Sequence, residues 1–356
     1  MRRILIVVCI QISVLTSSCG DGSSGGSINL LYVVDASSSQ IATFKVASDG
    51  ALTSENSFSV TTGPHAIVFT SDKKFAYVVS SGSNNIQVYS VSSKDGSLTS
   101  SSSSASTGTD PVSLSIAPSG KFLFVGNSSS TNISAYTIDS SIGTLTAVSG
   151  SPYALAATPT YMAVTPSGNY LYAAVEDRGV IYAFFIDSST GALTRVPGSP
   201  FNAGIGPASI AISPSEAYLF AADNLSNRVY AFTIQSGSGI LFSVAGSPFT
   251  VGSNPVSLKV DSNNSHLYVA NQTSNNVSAF SIASGGALTQ LSDSPYSAGN
   301  TPSFVTISSN GKAVYVSNHG ANTVSEYAID SSTGKLSAMS GSPVSDGTGP
   351  VWMVAN

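Results

Sequence analysis

The sequence predicts an all-β, seven-bladed β-propeller with four antiparallel strands per blade, and three observations lead to that fold. A unit that opens with a proline recurs every 47 or 48 residues, at Pro64, Pro111, Pro159, Pro207, Pro255, Pro302 and Pro350. Each unit contains four short runs with strand-like patterning, and no helical period of useful length is present. Four strands in a unit of this length is the size of one propeller blade.

The two ends of the chain determine the number of blades. Residues 28–63 contain strands two to four of a unit without its leading strand, whereas residues 350–356 contain a leading strand with nothing after it. These fragments complete each other, so six whole units and one shared unit give seven blades. The C-terminal strand is then expected to pair with the N-terminal blade, which closes the ring and removes its open edges.

The first half of each unit is a hairpin. The leading strand alternates small and aliphatic residues, as in Ser209–Ile212, and it is followed by a tight turn such as Pro118-Ser119-Gly120. These turn residues reverse a chain at low steric cost. The second strand is aromatic and β-branched, as in Tyr268–Ala270, which is typical of a strand.

The second half of each unit continues the sheet outward. The third strand is of the type Val277–Phe280, and a turn such as Asp187–Gly191 follows it. The fourth strand, of the type Ala192–Thr194, continues into a Gly-Ser-Pro segment such as Gly198–Pro200. Each unit therefore divides into four short strands.

The composition excludes one class of function and indicates an exported protein. Charged residues make up 9% of the chain, and the formal net charge of −5 comes from few charges of either sign. Basic stripes are absent, so no nucleic-acid partner is expected. A surface that depends on Ser, Thr, Asn and Gly for its solubility is typical of exported β-rich proteins.

The N-terminus is predicted to be an export signal, residues 1–18, followed by a flexible tether at residues 19–27 and the propeller at residues 28–356. Arg2 and Arg3 precede an apolar stretch, Ile4 to Leu15, which is too short to span a bilayer. The position of Cys19 resembles that of the lipidated cysteine in bacterial lipoproteins, and an ordinary secretory signal is the alternative. The resemblance implies a lipoprotein of the cell envelope, periplasmic or at the surface, attached to the membrane through its lipid only.

Several repeated motifs resemble those of a known family. The Gly-Pro openings, the Ser-Pro-Ser-Gly turns and the segments Tyr268–Asn271 and Tyr315–Asn318 resemble the seven-bladed lactonase family. That family includes a 6-phosphogluconolactonase branch and is related to surface propellers with Tyr-Val-Thr-Asn repeats. The resemblance covers residues 28–356 and implies a propeller that binds or hydrolyses a ligand at one mouth.

Two further segments match family motifs in part. Gly63-Pro64-His65 is similar to the start of the family's Gly-Pro-His-Pro-His opening, with Ala66 and Ile67 in place of the second proline and histidine. The loop Asp223–Arg228 resembles the family's Asp-Leu-Gly-x-Asp-Arg loop, with asparagine at its second aspartate position. In the family these motifs share one blade, whereas here they lie in the second and fifth blades.

Ionisable residues at one face of the ring are the candidates for chemistry. The loops that precede the first strand and those between the second and third strands open on the same face. Lactone hydrolysis requires a base for water and a donor or cation for the developing oxyanion. The candidate catalytic residues on this face are His65, Glu176, Arg178, Asp223, Arg228 and His319. The alternative is that Arg178 and Arg228 form exposed ion pairs of little energetic value.

Polar residues also recur in register just after the second strand, at Asp35, Asn127, Asn271 and Asn318. They are candidates for a ring that binds a sugar or a cation. The alternative is that they cap the strand ends by bonding their own turn backbone. Too few carboxylates cluster to predict a metal site, and no cofactor is expected.

Two functions are compatible with these features. The first is a non-catalytic envelope module whose mouth binds a carbohydrate or an envelope protein. The second is a lactonase that hydrolyses a sugar lactone. A closed ring has no free edges, so a monomer is expected.

Overall fold

The computed structural model describes residues 29–356, which form seven sheets around a central channel. The predicted signal segment, Cys19 and the tether lie outside the described residues. Each sheet is one blade of antiparallel strands, so the predicted seven-bladed propeller is confirmed. The only helical segment among the described residues is a single 3₁₀ turn, Glu176–Arg178.

Strands are numbered in chain order and grouped by their place in the blade. The innermost strands are β4 (Pro64–Phe69), β8 (Pro111–Ile116), β13 (Pro159–Val164), β18 (Pro207–Ile212), β23 (Pro255–Val260), β28 (Pro302–Ile307) and β33 (Pro350–Ala355). The second strands are β1 (Leu30–Asp35), β5 (Phe75–Ser80), β9 (Phe122–Asn127), β14 (Tyr170–Val175), β19 (Tyr218–Asp223), β24 (His266–Asn271) and β29 (Ala313–Asn318). The third strands are β2 (Gln40–Val46), β6 (Asn85–Val91), β10 (Asn132–Ile138), β15 (Val180–Ile186), β20 (Arg228–Ile234), β25 (Asn276–Ile282) and β30 (Thr323–Ile329).

The outer edge of the blades takes two forms. In the first and second blades it is one continuous strand, β3 (Leu52–Ser59) or β7 (Leu98–Ser106). In the other five it is divided into two short strands by the Gly-Ser-Pro segment. These pairs are β11 (Leu145–Ala147) and β12 (Tyr153–Ala154), β16 (Leu193–Arg195) and β17 (Phe201–Asn202), β21 (Leu241–Ser243) and β22 (Phe249–Thr250), β26 (Leu288–Gln290) and β27 (Tyr296–Ser297), and β31 (Leu336–Ala338) and β32 (Val344–Ser345).

The serine of the Gly-Ser-Pro segment takes over a hydrogen bond of the sheet. Ser199 Oγ accepts a hydrogen bond of 2.9 Å from the backbone N–H of Ala183 in β15, and Ser247 does the same for Ala231 in β20. The divided outer edge therefore leaves no buried donor unpaired at this point.

The ring closes as predicted. Strand β33 runs antiparallel to β1, with Met353 opposite Val33. On the other side of this seam, Glu326 of the seventh blade is buried, and its carboxylate accepts a 2.7 Å hydrogen bond from the backbone N–H of Leu52 in β3. The first blade is thus held by main-chain pairing on one side and by a buried side chain on the other.

Buried tyrosines of the second strands join neighbouring blades. In five blades the tyrosine hydroxyl donates to a glycine carbonyl in the outer turn of the next blade, at distances of 2.6–2.9 Å. The donors are Tyr32, Tyr77, Tyr172, Tyr268 and Tyr315. Phe124 and Phe220 occupy the same position in the third and fifth blades, where no such bond is possible.

Replacing Tyr268 by phenylalanine is expected to lower the free energy of unfolding by about 1–3 kcal/mol. The hydroxyl donates to Gly334 O at 2.8 Å, and its loss leaves a buried carbonyl without a partner. The measurement is chemical denaturation of the wild-type chain and the variant. Tyr230→Phe is the matched control, because the Tyr230 hydroxyl makes no hydrogen bond within residues 29–356. Equal stability of the two variants would contradict this role.

The two openings of the channel are lined by different parts of the blades. The loop face carries the start of each innermost strand and the end of each second strand, as shown by the pairing of Pro207 with Asp223. The turn face carries the turns between first and second strands. Leu30 and Asn356 pair with each other through their backbones, and Asn356 lines a small cavity with Ser71 of a turn. Both ends of the described chain therefore lie at the turn face.

Three aromatic side chains from different blades block the channel between these openings. Trp352 of β33 stacks on Tyr161 of β13 with ring centroids 5.4 Å apart, and Phe304 of β28 packs against Trp352 at 4.6 Å. The channel is therefore not a continuous pore. No helix among residues 29–356 is long and apolar enough to cross a membrane.

Candidate functional site at the loop face

His65 is the one ionisable residue at the start of an innermost strand, which places it at the loop face. It is the second residue of β4, directly after the opening proline, and it keeps part of its surface exposed between two buried neighbours. Its Nδ1 atom is buried and has no side-chain hydrogen-bond partner within residues 29–356, and its polar neighbours include the backbone of Val112. Burial lowers the pKa of His65 from its ordinary value, so the imidazole is neutral at neutral pH.

A carboxylate that the sequence analysis did not single out lies near this histidine. Asp110 precedes the opening proline of the third blade, and its charge partly opposes the effect of burial on the His65 pKa. Ser128 Oγ donates to the Asp110 carboxylate at 2.5 Å, and the Asp110 backbone N–H donates to Asn84 Oδ1 at 2.7 Å. A sequence signal for Asp110 exists, since it is the only carboxylate directly before an opening proline.

The predicted cluster at the junction of the fourth and fifth blades forms in part. Glu176 begins the 3₁₀ turn after β14, and its Oε1 accepts a 2.8 Å hydrogen bond from Asn224 Nδ2 of the fifth blade. Arg178 and Arg228 are exposed, and neither forms a salt bridge with a described residue. The expected exposed ion pairs are therefore absent from the described chain. The two guanidinium groups remain open to a ligand.

Asp223 has a different environment from the one predicted. It is fully buried at the end of β19, and one carboxylate oxygen accepts a 2.8 Å hydrogen bond from the backbone N–H of Ile205. The other oxygen accepts from the N–H groups of Leu225 and Ser226, at 3.1 and 3.0 Å. The carboxylate therefore holds two loops in place and has no surface that a substrate could reach in this conformation.

His319 lies away from both groups, at the seam between the seventh and first blades. Its side chain is exposed, and its backbone N–H donates to Thr301 O at 2.9 Å. The imidazole lies against Gly349, where a Cβ atom would be 3.2 Å from His319 Nε2. No hydrogen bond or salt bridge within residues 29–356 links His65 or His319 to the fourth and fifth blades.

The four polar residues in register after the second strands are buried. Asp35, Asn127, Asn271 and Asn318 have no exposed surface. The amide of Asn271 donates to Asn276 Oδ1 at 2.8 Å and to Ser278 Oγ at 2.9 Å, both in the third strand of its blade. The three asparagine side chains bond the neighbouring strand rather than their own turn backbone. They form no exposed ring for a ligand at the loop face.

Asp35 differs from the three asparagines because a second carboxyl group lies beside it. Asp346, in the connection between the seventh and first blades, contacts Asp35. The Asp35 oxygens have no other hydrogen-bond partner within residues 29–356, whereas the backbone N–H of Gly347 lies beside the Asp346 carboxylate. Burial and the neighbouring carboxylate raise the pKa of Asp35. The equivalent connections place Ala298 and Ala203 where Asp346 lies.

The histidine at the turn face is nearly buried and paired with a carboxylate. His266 is 11% exposed, and its Nδ1 lies 2.9 Å from Asp261 Oδ2. Within residues 29–356, no group of three or more His, Cys, Asp or Glu side chains is arranged to hold a metal ion.

Comparison of this chain with known proteins identifies its family. The sequence profile of the family described as "Lactonase, 7-bladed beta-propeller" matches residues 27–156, 194–301 and 287–350 of the chain. The chain belongs to this lactonase family. The matched segments of this lactonase propeller include the Gly63-Pro64-His65 segment, the Asp223–Arg228 loop and His319. They leave out most of the fourth blade, with Glu176 and Arg178.

Solved structures share the fold at low sequence identity. A proposed 6-phosphogluconolactonase from Bacteroides fragilis is 20% identical, with a TM-score of 0.83 over 94% of this chain and 100% of that chain. The periplasmic gluconolactonase of Pseudomonas aeruginosa is 18% identical, with a TM-score of 0.79 over 92% and 99% of the two chains. A protein from Lactobacillus plantarum is 18% identical, with a TM-score of 0.79 over 93% and 100%. No curated protein sequence matches the chain.

Proposed function

We propose that this lactonase propeller is a hydrolase of the cell envelope that opens a sugar lactone, with His65 as the general base. The observation that carries the proposal is the state of His65, a neutral imidazole at the loop face with the Asp110 carboxylate close enough to favour its protonated form. Membership of the lactonase family supports the hydrolase. No feature of the described residues specifically favours the non-catalytic binding module that was the first expectation.

The proposed reaction begins with a water molecule between His65 and the lactone carbonyl. His65 accepts a proton from this water as its oxygen bonds to the carbonyl carbon, which gives a tetrahedral oxyanion and an imidazolium. The ring C–O bond then breaks, and the imidazolium returns the proton to the departing ring oxygen. The product is the open hydroxy acid, and His65 is neutral again.

Two other groups of the loop face have roles in this proposal. Asp110 stabilises the imidazolium, since its charge favours the protonated state of His65. Arg178 and Arg228, which lack carboxylate partners among the described residues, supply positive charge to the oxyanion or to substrate oxygens. Glu176 is a positioning residue, because its hydrogen bond to Asn224 joins the two loops that carry these arginines.

The proposed substrate is an unphosphorylated sugar lactone. An envelope location favours this choice, because phosphorylated sugars are retained inside the cell. The periplasmic gluconolactonase of similar fold is consistent with such a location. Anchoring through a lipid on Cys19 is part of the same proposal.

The experiment measures hydrolysis of glucono-1,5-lactone, galactono-1,4-lactone and 6-phosphogluconolactone by the full-length chain. We expect turnover of at least one unphosphorylated lactone above the buffer rate. The Arg178→Ala, Arg228→Ala double variant should lose about 10²-fold in kcat/KM, the effect of removing one oxyanion donor. Lys121→Ala, which removes an exposed cation of the turn between β8 and β9, is the matched control.

The outcomes separate the two functions. Turnover that falls in the arginine variant and persists in the Lys121 variant supports a hydrolase with its site at the loop face. Absence of turnover on all three lactones would overturn the proposal and leave carbohydrate or envelope-protein binding as the alternative.

A further inference from the structure

The turn-face side of the channel forms a second, separate cavity. It has a volume of about 470 Å³, and its apolar walls come from six innermost strands. The walls include Leu114, Ile116, Met162, Ile210, Leu258 and Ile307. This volume lies within the range of small-molecule sites, which are mostly apolar with a few polar groups. We call this cavity the turn-face cup.

The floor of the cup is the aromatic block of the channel. Tyr161 lines the cavity, and on its other side it stacks on Trp352. His65 does not line the cup, and the aromatic block separates the two halves of the channel. A ligand in the cup therefore occupies a site distinct from the candidate lactonase site.

One charged side chain lines the cup. Lys259 is the fifth residue of β23, and the corresponding positions in the other blades hold Val68, Ser115, Ala163, Ala211, Thr306 and Val354. No carboxylate lines the cavity, and Lys259 forms no salt bridge with a described residue. The side chain remains exposed to the cavity.

The wall of the channel hydrates an ammonium group less fully than open solution does. Desolvation there lowers the pKa of Lys259, although the side chain stays open to the cavity. An ammonium in apolar surroundings is stabilised by an anion that approaches it at hydrogen-bond distance. The cup provides the space for such an anion and for an apolar body attached to it.

We propose that the turn-face cup binds a small amphipathic carboxylate, with the carboxylate at Lys259 and the apolar body on the aliphatic walls above Tyr161. The apolar body removes wall surface from water, and the carboxylate forms the ion pair that the protein itself does not provide. Neutral and cationic ligands of the same shape cannot form this ion pair with Lys259. The inference concerns a site on the opposite face from the proposed active site and does not depend on the lactonase activity.

Trp352 provides a direct measurement, because it is the only tryptophan of the chain and it contacts the floor of the cup. The experiment titrates the full-length chain with sodium octanoate and follows tryptophan fluorescence, with isothermal calorimetry as a second readout. We expect saturable binding of octanoate. Octanol and octylamine should bind at least about tenfold more weakly, because a hydrogen bond to a charged group contributes a factor of this size.

Two variants complete the test. Lys259→Met keeps the length of the side chain without its charge and should weaken octanoate binding at least about tenfold while leaving octanol binding unchanged. His65→Gln should bind octanoate like the wild-type chain, which separates this site from the loop face. The proposal would be overturned by equal affinity for octanoate and octanol, by full octanoate affinity in Lys259→Met, or by no binding.

Discussion

Replacing His65 by glutamine is expected to reduce kcat for lactone hydrolysis by about 10²–10⁴-fold, the contribution of a positioned general base. Glutamine keeps a polar side chain of similar reach but cannot accept the proton of the attacking water. KM should change little, because the imidazole acts on water rather than on the sugar. The measurement is steady-state kinetics on whichever lactone the wild-type chain hydrolyses.

The pH profile tests the same role independently. Burial lowers the pKa of His65 below its ordinary value of about 6.5, and only the unprotonated imidazole is a base. Activity should therefore rise with pH through an apparent pKa below 6.5 and stay level above it. His319→Gln is the matched control, since His319 is an exposed histidine of the same face with a different environment. Equal losses in the two variants, or an acid limb above pH 7, would rule out His65 as the base.

Replacing Asp35 by asparagine is expected to stabilise the protein at alkaline pH, on the order of 2 kcal/mol. Asp35 is fully buried beside Asp346, so its pKa is raised above that of the unfolded chain. A group with a raised pKa contributes stability below its unfolded pKa and loses that contribution as pH rises through its folded pKa. An asparagine amide carries no charge and can donate to the Asp346 carboxylate.

The measurement is the thermal unfolding midpoint at pH 5, 7 and 9. The midpoint of the wild-type chain should fall as the pH rises from 5 to 9, and the midpoint of the Asp35→Asn variant should fall less. Asp330→Asn is the control, because the Asp330 carboxylate lies in an exposed turn and accepts hydrogen bonds from the Ser332 hydroxyl and from backbone N–H groups, which lower its pKa to about 2. That substitution should therefore lower the midpoint. A wild-type midpoint that rises between pH 7 and pH 9 would contradict the account of the carboxyl pair.

Sequence periodicity was sufficient for the fold. The spacing of the opening prolines predicts the blades, and the short segment after Pro350 predicts the strand that closes the ring. The face on which His65 and Glu176 lie also follows from strand order. These features depend on contacts between residues of one unit, which a repeated pattern reveals.

Burial and contacts between units were less predictable. The register of Asn271 and Asn318 identifies equivalent positions but does not show that their amides are enclosed by the third strand. The aromatic block of the channel could not be predicted, because Tyr161, Phe304 and Trp352 come from three units and meet only in the closed ring. Asp110 was not predicted as a site residue, because the histidine that it affects, His65, belongs to the neighbouring blade.

The position of the chain ends determines how the molecule would be presented on a support. Asn29 and Asn356 lie together at the turn face, so a tag, a bead or a lipid joined at either end holds the propeller by that face. The loop face, with His65 and the two arginines, would then point outward into the surrounding medium. Large soluble molecules would reach it freely, whereas the turn-face cup would open toward the support and be accessible mainly to compounds small enough to enter the gap.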